Sequence, residues 1–197
     1  SNPLIKTLKS LHAKKGRAET GLFLAEGARL AREAADLGVW PETMLFAADA
    51  LQRGQVRELA SAAERHGVRL IETSEKVLAG IAKRDNPQTV IGAYRQILSP
   101  LDMIDGGVVV ALEGVRDPGN LGTILRTADS VGAGGVVLLG ESCDPFSVEA
   151  VRASMGSIFS VKLARASFSD LLKFRTARGA NLIGASLKGM ALEADRA

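Results

Sequence analysis

The sequence predicts an α/β protein whose second half is a parallel sheet covered by helices on both faces. Three observations carry this. Residues 107–197 contain apolar runs without polar alternation, the pattern of strands buried on both sides. Helix-period segments separate those runs, as the crossovers of a parallel sheet must. The first half repeats the alternation less cleanly, and the stretch ILSPLDMIDGG (97–107) lies between the halves. The expected organisation is a domain over 1–97, a linker over 98–106 and a second domain over 107–197.

Taken in order, an opening helix over about 3–15 carries Leu4, Leu8 and Leu11 at helical spacing. A short strand (22–25), a helix (26–37), a strand (43–47) and a helix (53–66) follow. Then come a strand (68–72), a helix (74–82) and a strand (89–95). In the second half, GGVVVALEGV (106–115) is an apolar run closed by the turn Asp117-Pro118-Gly119. Asn120 is placed to cap a helix with Leu121, Ile124, Leu125, Ala128 and Val131 on one face, stopped by Gly132. GGVVLLG (134–140) is the next strand. A helix from about Ser147, with Val148, Val151 and Met155, ends near Gly156. IFSVKLAR (158–165) reads as a third strand. Ser167, with Asp170 three residues on, opens a helix that Gly179 stops, and ANLIGASL (180–187) reads as a fourth strand.

Composition excludes several classes. Apolar residues make up 46% and charged residues 24% of the 197, an ordinary globular balance with enough chain for a sizeable core. Nothing approaches eighteen consecutive apolar residues, which excludes a conventional transmembrane helix and a membrane partner. The opening SNPLIKTLKSLHAKKGR lacks the apolar segment of a secretory signal. The single Cys143 rules out an internal disulfide framework and fits the reducing cytoplasm. With that one cysteine and only His12 and His66, thiolate or imidazole metal clusters are excluded, so no metal is expected.

Net charge is +3 and unevenly spread. Residues 1–17 hold Lys6, Lys9, Lys14, Lys15 and Arg17 without one acid, an arm suited to a polyanion such as RNA or, more plainly, a solvated helix face.

Open parallel sheets bind ligands at the carboxyl ends of their strands. There the first strand of the second half delivers Glu113-Gly114-Val115-Arg116-Asp117-Pro118-Gly119-Asn120, with Arg126 further along the helix and about 120° around from Asn120. The next crossover, Asp144-Pro145-Phe146-Ser147 and then Arg152-Ala153-Ser154-Met155-Gly156, is equally polar. Plainer roles exist for each. Asn120 can be a cap, Glu113 and Asp117 can pair with Arg116, and Arg126 or Arg152 can be a stem with an exposed head. The turn reads GNLG rather than the full G-x-G-x-x-G, which argues against a dinucleotide enzyme. Cys143 has no nearby His to activate it.

Together these residues are specific. LEGVRDPGNLGTILRTADSVGAGGVVLL followed by SVEAVRASMGSIFSV resembles the first two signature motifs of the SpoU family, S-adenosylmethionine-dependent RNA 2′-O-ribose methyltransferases of the SPOUT superfamily. FLAEGARLAREA (23–34) resembles that family's substrate-binding domain, which is similar to the ribosomal L30e fold. The resemblance implies catalytic roles for Arg126, Asn120 and Glu113, RNA contacts from Arg116, Arg152 and Ser154 beside the basic arm, and a homodimer formed through the second domain. Ribosomal RNA is the implied substrate; a tRNA 2′-O-methyltransferase or a non-catalytic RNA-binding module are the alternatives. Ser186, Leu187 and Gly140 are the expected donor contacts. The family's third motif, a Gly-rich strand and loop with Asn-Glu-Gly, has no counterpart in these 197 residues. The expectation is thus an incomplete trefoil knot, poorly packed from about Leu182 onward.

Overall fold

The computed structural model of the protein describes residues 2–185. Its first sheet is four-stranded, in the order β1-β4-β2-β3, with β1 Leu22–Glu26, β2 Thr43–Ala47, β3 Arg69–Thr73 and β4 Val90–Arg95. β2 runs parallel to β3, while β4 lies antiparallel to both β1 and β2. Every residue of β2 is buried, so it carries the core of this half. Around the sheet lie α1 Pro3–Ser10, α2 Lys14–Thr20, α3 Ala28–Asp36, α4 Gly54–Arg65 and α5 Glu75–Ala82.

The opening helix is therefore two helices, not one. Leu8 and Leu11 bury against the first core, and the chain then doubles back so tightly that a Cβ on Gly16 would stand 2.2 Å from the Ser10 carbonyl oxygen. Only glycine fits that crossing.

The second sheet is wholly parallel, in the order β5-β6-β7, with β5 Val109–Glu113, β6 Gly135–Leu139 and β7 Leu163–Ala166. Its crossovers are α6 Pro118–Ser130 and the pair α7 Val148–Ser154 and α8 Ser157–Ser160; α9 Phe168–Arg178 follows β7. β6 is buried along its whole length. The third strand is shorter than expected. Met155 and Gly156 both take positive φ, of 51° and 101°, which ends α7 and restarts the chain as the single turn α8 before it extends. Residues 180–185 pair with no strand, so the described part of the expected fourth strand is irregular, with Leu182 and Ile183 exposed. On the face of β5 toward α9, an open groove of about 460 Å³ is lined by Val109, Ala111, Leu171 and Phe174.

The connecting stretch is laid onto the second sheet. Ile104 is fully buried with Val137, Leu139 and Ala164, and the backbones of Gly106 and Gly134 touch where a Cβ on Gly134 would overlap Asp105. The two halves also share a core. Phe23, Ala34 and Tyr94 of the first half pack with Leu121, Leu125, Phe146 and Val151 of the second. Phe23 lies 5.1 Å from Phe146 and Tyr94 lies 4.7 Å from Phe159, ring centre to ring centre. Burial of this kind is the main non-directional force in folding, so the halves are held in one relation. The Tyr94 hydroxyl is buried there without a hydrogen-bond partner, and desolvation pushes it well above the ordinary phenol range.

Candidate active site

β5 delivers Glu113 to the carboxyl edge of the second sheet, where Gly114 turns the chain at φ 65°. Asp117 then opens α6 by accepting the Asn120 N–H at 2.6 Å, with Pro118 at the first helical position. The cap is thus Asp117, not Asn120. Both residue types suit that role, and proline fixes the helix start one residue after Asp117. Asn120 stands in the first turn with its side chain unspent on capping. Neither Glu113 nor Asp117 pairs with Arg116 among the described residues.

The second crossover is tied to the first. The Cys143 N–H donates to the Val115 carbonyl at 2.7 Å, joining the loop after β6 to the loop after β5. Burial raises the Cys143 thiol above its ordinary value, and the carboxylates of Asp117 and Asp144 add to that. That direction disfavours the thiolate, the form a nucleophile needs.

α6 and α7 pack closely against each other. A Cβ on Gly122 would stand 2.5 Å from the Ala150 carbonyl and 2.6 Å from the Ala153 Cβ. Asp129, two turns on, accepts the Ser157 hydroxyl at 2.8 Å. Arg126 lies one turn after Gly122 and one turn before Asp129, so its stem leaves α6 along this seam. It is exposed, and among the described residues it makes no hydrogen bond or ion pair.

The basic candidates separate. Lys6, Lys9, Lys14 and Lys15 are exposed on α1 and α2, Lys15 with only a loose contact to Glu19 at 3.8 Å. Arg17 is not one of them. It is buried, and its guanidinium is spent on Asp144 and on the carbonyls of Leu11 and His12. Four of its five N–H groups are taken up in this way and the side chain is 5% exposed, so it does not present itself to an RNA phosphate. Ser154 is likewise fully buried, its hydroxyl turned back to the Val151 carbonyl, so it does not reach RNA either. Arg152 keeps a half-exposed head while one nitrogen donates to Glu26 at 3.0 Å. Arg116 is exposed. Gly140 takes φ 58° at the end of β6, beside the crevice; Ser186 and Leu187 lie outside the described residues.

Two acids to which the sequence assigned no role sit at this junction. Glu26 ends β1 as a buried acid, and Asp144 receives Arg17. The available signal for Glu26 was an acid closing an otherwise apolar strand directly before Gly27, which takes φ 117°.

Comparison with known proteins agrees with this layout. Residues 2–92 match the MRM3-like substrate binding domain, and residues 107–196 match the SpoU rRNA Methylase family. The chain is 29% identical over 188 residues to the 23S rRNA (guanosine(2553)-2′-O)-methyltransferase RlmP of Bacillus subtilis, covering 95% of this chain and 71% of that protein. An AdoMet-bound rRNA methyltransferase from Sinorhizobium meliloti superposes with a TM-score of 0.81 at 45% identity, over 89% of this chain and 66% of its own. The SpoU methyltransferase AviRb of Streptomyces viridochromogenes, in complex with AdoMet, superposes with a TM-score of 0.78 at 26% identity, over 91% and 69%. The chain spans about two thirds of the length of these solved structures.

Proposed function

The chain belongs to the SpoU rRNA Methylase family, and we propose on that premise that it methylates the 2′-hydroxyl of a ribose in ribosomal RNA. The observation that carries the reading is Arg126, an arginine left unpaired among the described residues on the helix that opens at the sheet's carboxyl edge. A ribose hydroxyl is a weak acid, and guanidinium, with a pKa above about 12, does not serve as a base near neutrality. Arg126 acts instead as a fixed positive charge that stabilises the alkoxide as it develops, while Asn120 in the first turn of α6 supplies a neutral donor and acceptor nearby. Glu113 at the strand end is the carboxylate available to accept the hydroxyl proton.

The residues at the strand ends fit a nucleoside methyl donor as one wall of its site. Gly114 and Gly140 both turn there at positive φ with open space where a Cβ would stand, so a flat ligand can lie against bare backbone. S-adenosylmethionine, when bound, supplies a methyl group already activated by its positive sulfur. The chain's own part is alignment of the hydroxyl and exclusion of water. The exposed lysines of α1 and α2 hold RNA through phosphates, and Arg116 and Arg152 extend that contact at the crevice.

We further propose a homodimer formed through the second domain in the cytoplasm. Val131 and Met155, at the ends of α6 and α7, are 68% and 59% exposed, and such apolar positions suit a twofold contact. Light scattering at micromolar concentration checks this; a monomer there removes the proposal.

The test of activity is transfer of labelled methyl from S-adenosylmethionine to 23S rRNA fragments and to tRNA, with the product mapped to a ribose. Label on rRNA 2′-oxygen supports the reading. Label on tRNA alone moves the substrate, and label on a base overturns the chemistry.

A further inference from the structure

Arg17 is the only member of the basic arm that faces inward, and it crosses between the domains. Its Nε and one Nη both lie 2.8 Å from Asp144 Oδ2, and its other Nη donates to the Leu11 and His12 carbonyls at 2.8 and 3.0 Å. The two side chains are 5% and 16% exposed. Asp144 uses its other oxygen to accept the Phe146 N–H at 2.9 Å, and its own carbonyl accepts the Ser147 N–H. One residue earlier, Cys143 is bonded to Val115 of the first crevice loop, which runs into Asp117 and α6.

We propose that Arg17 is a positioning residue for methyl transfer, acting through Asp144 on both crevice loops. The inference rests on the methyl-transfer reading only for its catalytic consequence. The chain of contacts runs from α2, which carries Lys14 and Lys15, through Arg17 to Asp144, then by the Cys143–Val115 hydrogen bond to the loop that launches the helix of Arg126. The arm that meets RNA and the loops that border the reacting ribose are thereby parts of one hydrogen-bonded unit. A charged pair removed from water this completely loses its geometry when one partner is changed, because the remaining charge seeks solvent. The loops would then hold the same residues in a looser arrangement, which costs rate rather than affinity.

The sole cysteine supplies a reporter that needs no activity. Arg17→Lys and Asp144→Asn keep size and leave the apolar contacts of the junction in place. Both variants should further expose the half-buried Cys143, raising its rate with a neutral thiol reagent about tenfold as the loop opens locally. RNA affinity should stay within about twofold, while the single-turnover methylation rate falls about tenfold or more. A loss of affinity like that of Lys14→Ala, with Cys143 reactivity unchanged, would overturn the proposal and make Arg17 an RNA contact. Should both variants fail to fold, hydrogen exchange on the unaltered protein decides. The amides of 141–147 and of α2 must open together, and independent opening rejects the coupling. If the unaltered protein methylates no RNA, the activity reading falls, while thiol reactivity and exchange still judge the coupling.

Discussion

Arg152 donates a hydrogen bond to Glu26 at 3.0 Å, joining helix α7 of one half to the last residue of strand β1 in the other. Glu26 is 7% exposed, and its second oxygen, buried without a hydrogen-bond partner, faces Arg84 at 3.6 Å. The two arginines are not equivalent in this arrangement. Arg152→Ala removes the one hydrogen bond and should destabilise the protein by about 1–3 kcal/mol, the scale for stranding a buried acceptor. Arg84→Ala removes a longer, partly solvated ion pair and should cost about 1 kcal/mol or less. Urea denaturation of the two variants checks the order; equal costs, or the reverse order, contradict it.

Gly122 sets the distance between α6 and α7. Any side chain there meets the Ala150 carbonyl, which cannot move without the helix that carries it. Gly122→Ala should therefore lower stability by about 1–3 kcal/mol through overpacking, and slow methylation by displacing Arg126. Gly54→Ala is the control, since nothing stands within 4 Å of its Cβ position at the start of α4. Thermal unfolding of the pair should show a loss for the first and none for the second.

Much of this fold was legible because a buried parallel strand and its crossover leave separate marks. The runs at 109–113 and 135–139, the cap pair Ser167 and Asp170, and the stop at Gly179 stand where hydrophobic period and turn chemistry put them. Strand direction leaves no such mark. Val90–Arg95 is as apolar as its neighbours, and only tertiary pairing makes it antiparallel to β1 and β2. Arg17 was unreadable for a similar reason. Its partner lies 127 residues away, so in sequence it looks like the lysines beside it. Ile158 and Phe159 suit a strand by composition, yet the positive φ of Met155 and Gly156 commits them to a helical turn.

The Cys143 thiol sits above its ordinary value of 9.0 because burial disfavours the thiolate. An unfolded chain ionises this group first, so its contribution to stability is complete below the unfolded value and declines as pH rises toward the folded one. Alkylation of the folded protein should keep accelerating beyond pH 9.0, whereas the urea-unfolded protein should already be levelling off. Coincident pH profiles would remove the assigned burial effect.

Lys6, Lys9 and Lys14 are exposed and make no ion pair among the described residues. Changing all three to Ala should weaken RNA binding and flatten the salt dependence of log K by about one unit for each phosphate no longer neutralised. The methylation rate at saturating RNA should be unchanged within about twofold, as expected of charges proposed to hold the RNA backbone rather than the reacting ribose. An unchanged salt slope would place the RNA on another face.

Arg126 carries the central claim, and single-turnover methylation by Arg126→Ala at saturating RNA and donor tests it most directly. The substitution removes an exposed side chain that is unpaired among the described residues, so the fold should be intact by thermal unfolding. The account predicts RNA affinity within a few fold of the unaltered protein and a rate lower by about 10²-fold or more, the scale of losing one transition-state stabiliser. A variant that methylates at an undiminished rate, or one whose whole deficit is lost RNA affinity, would contradict it.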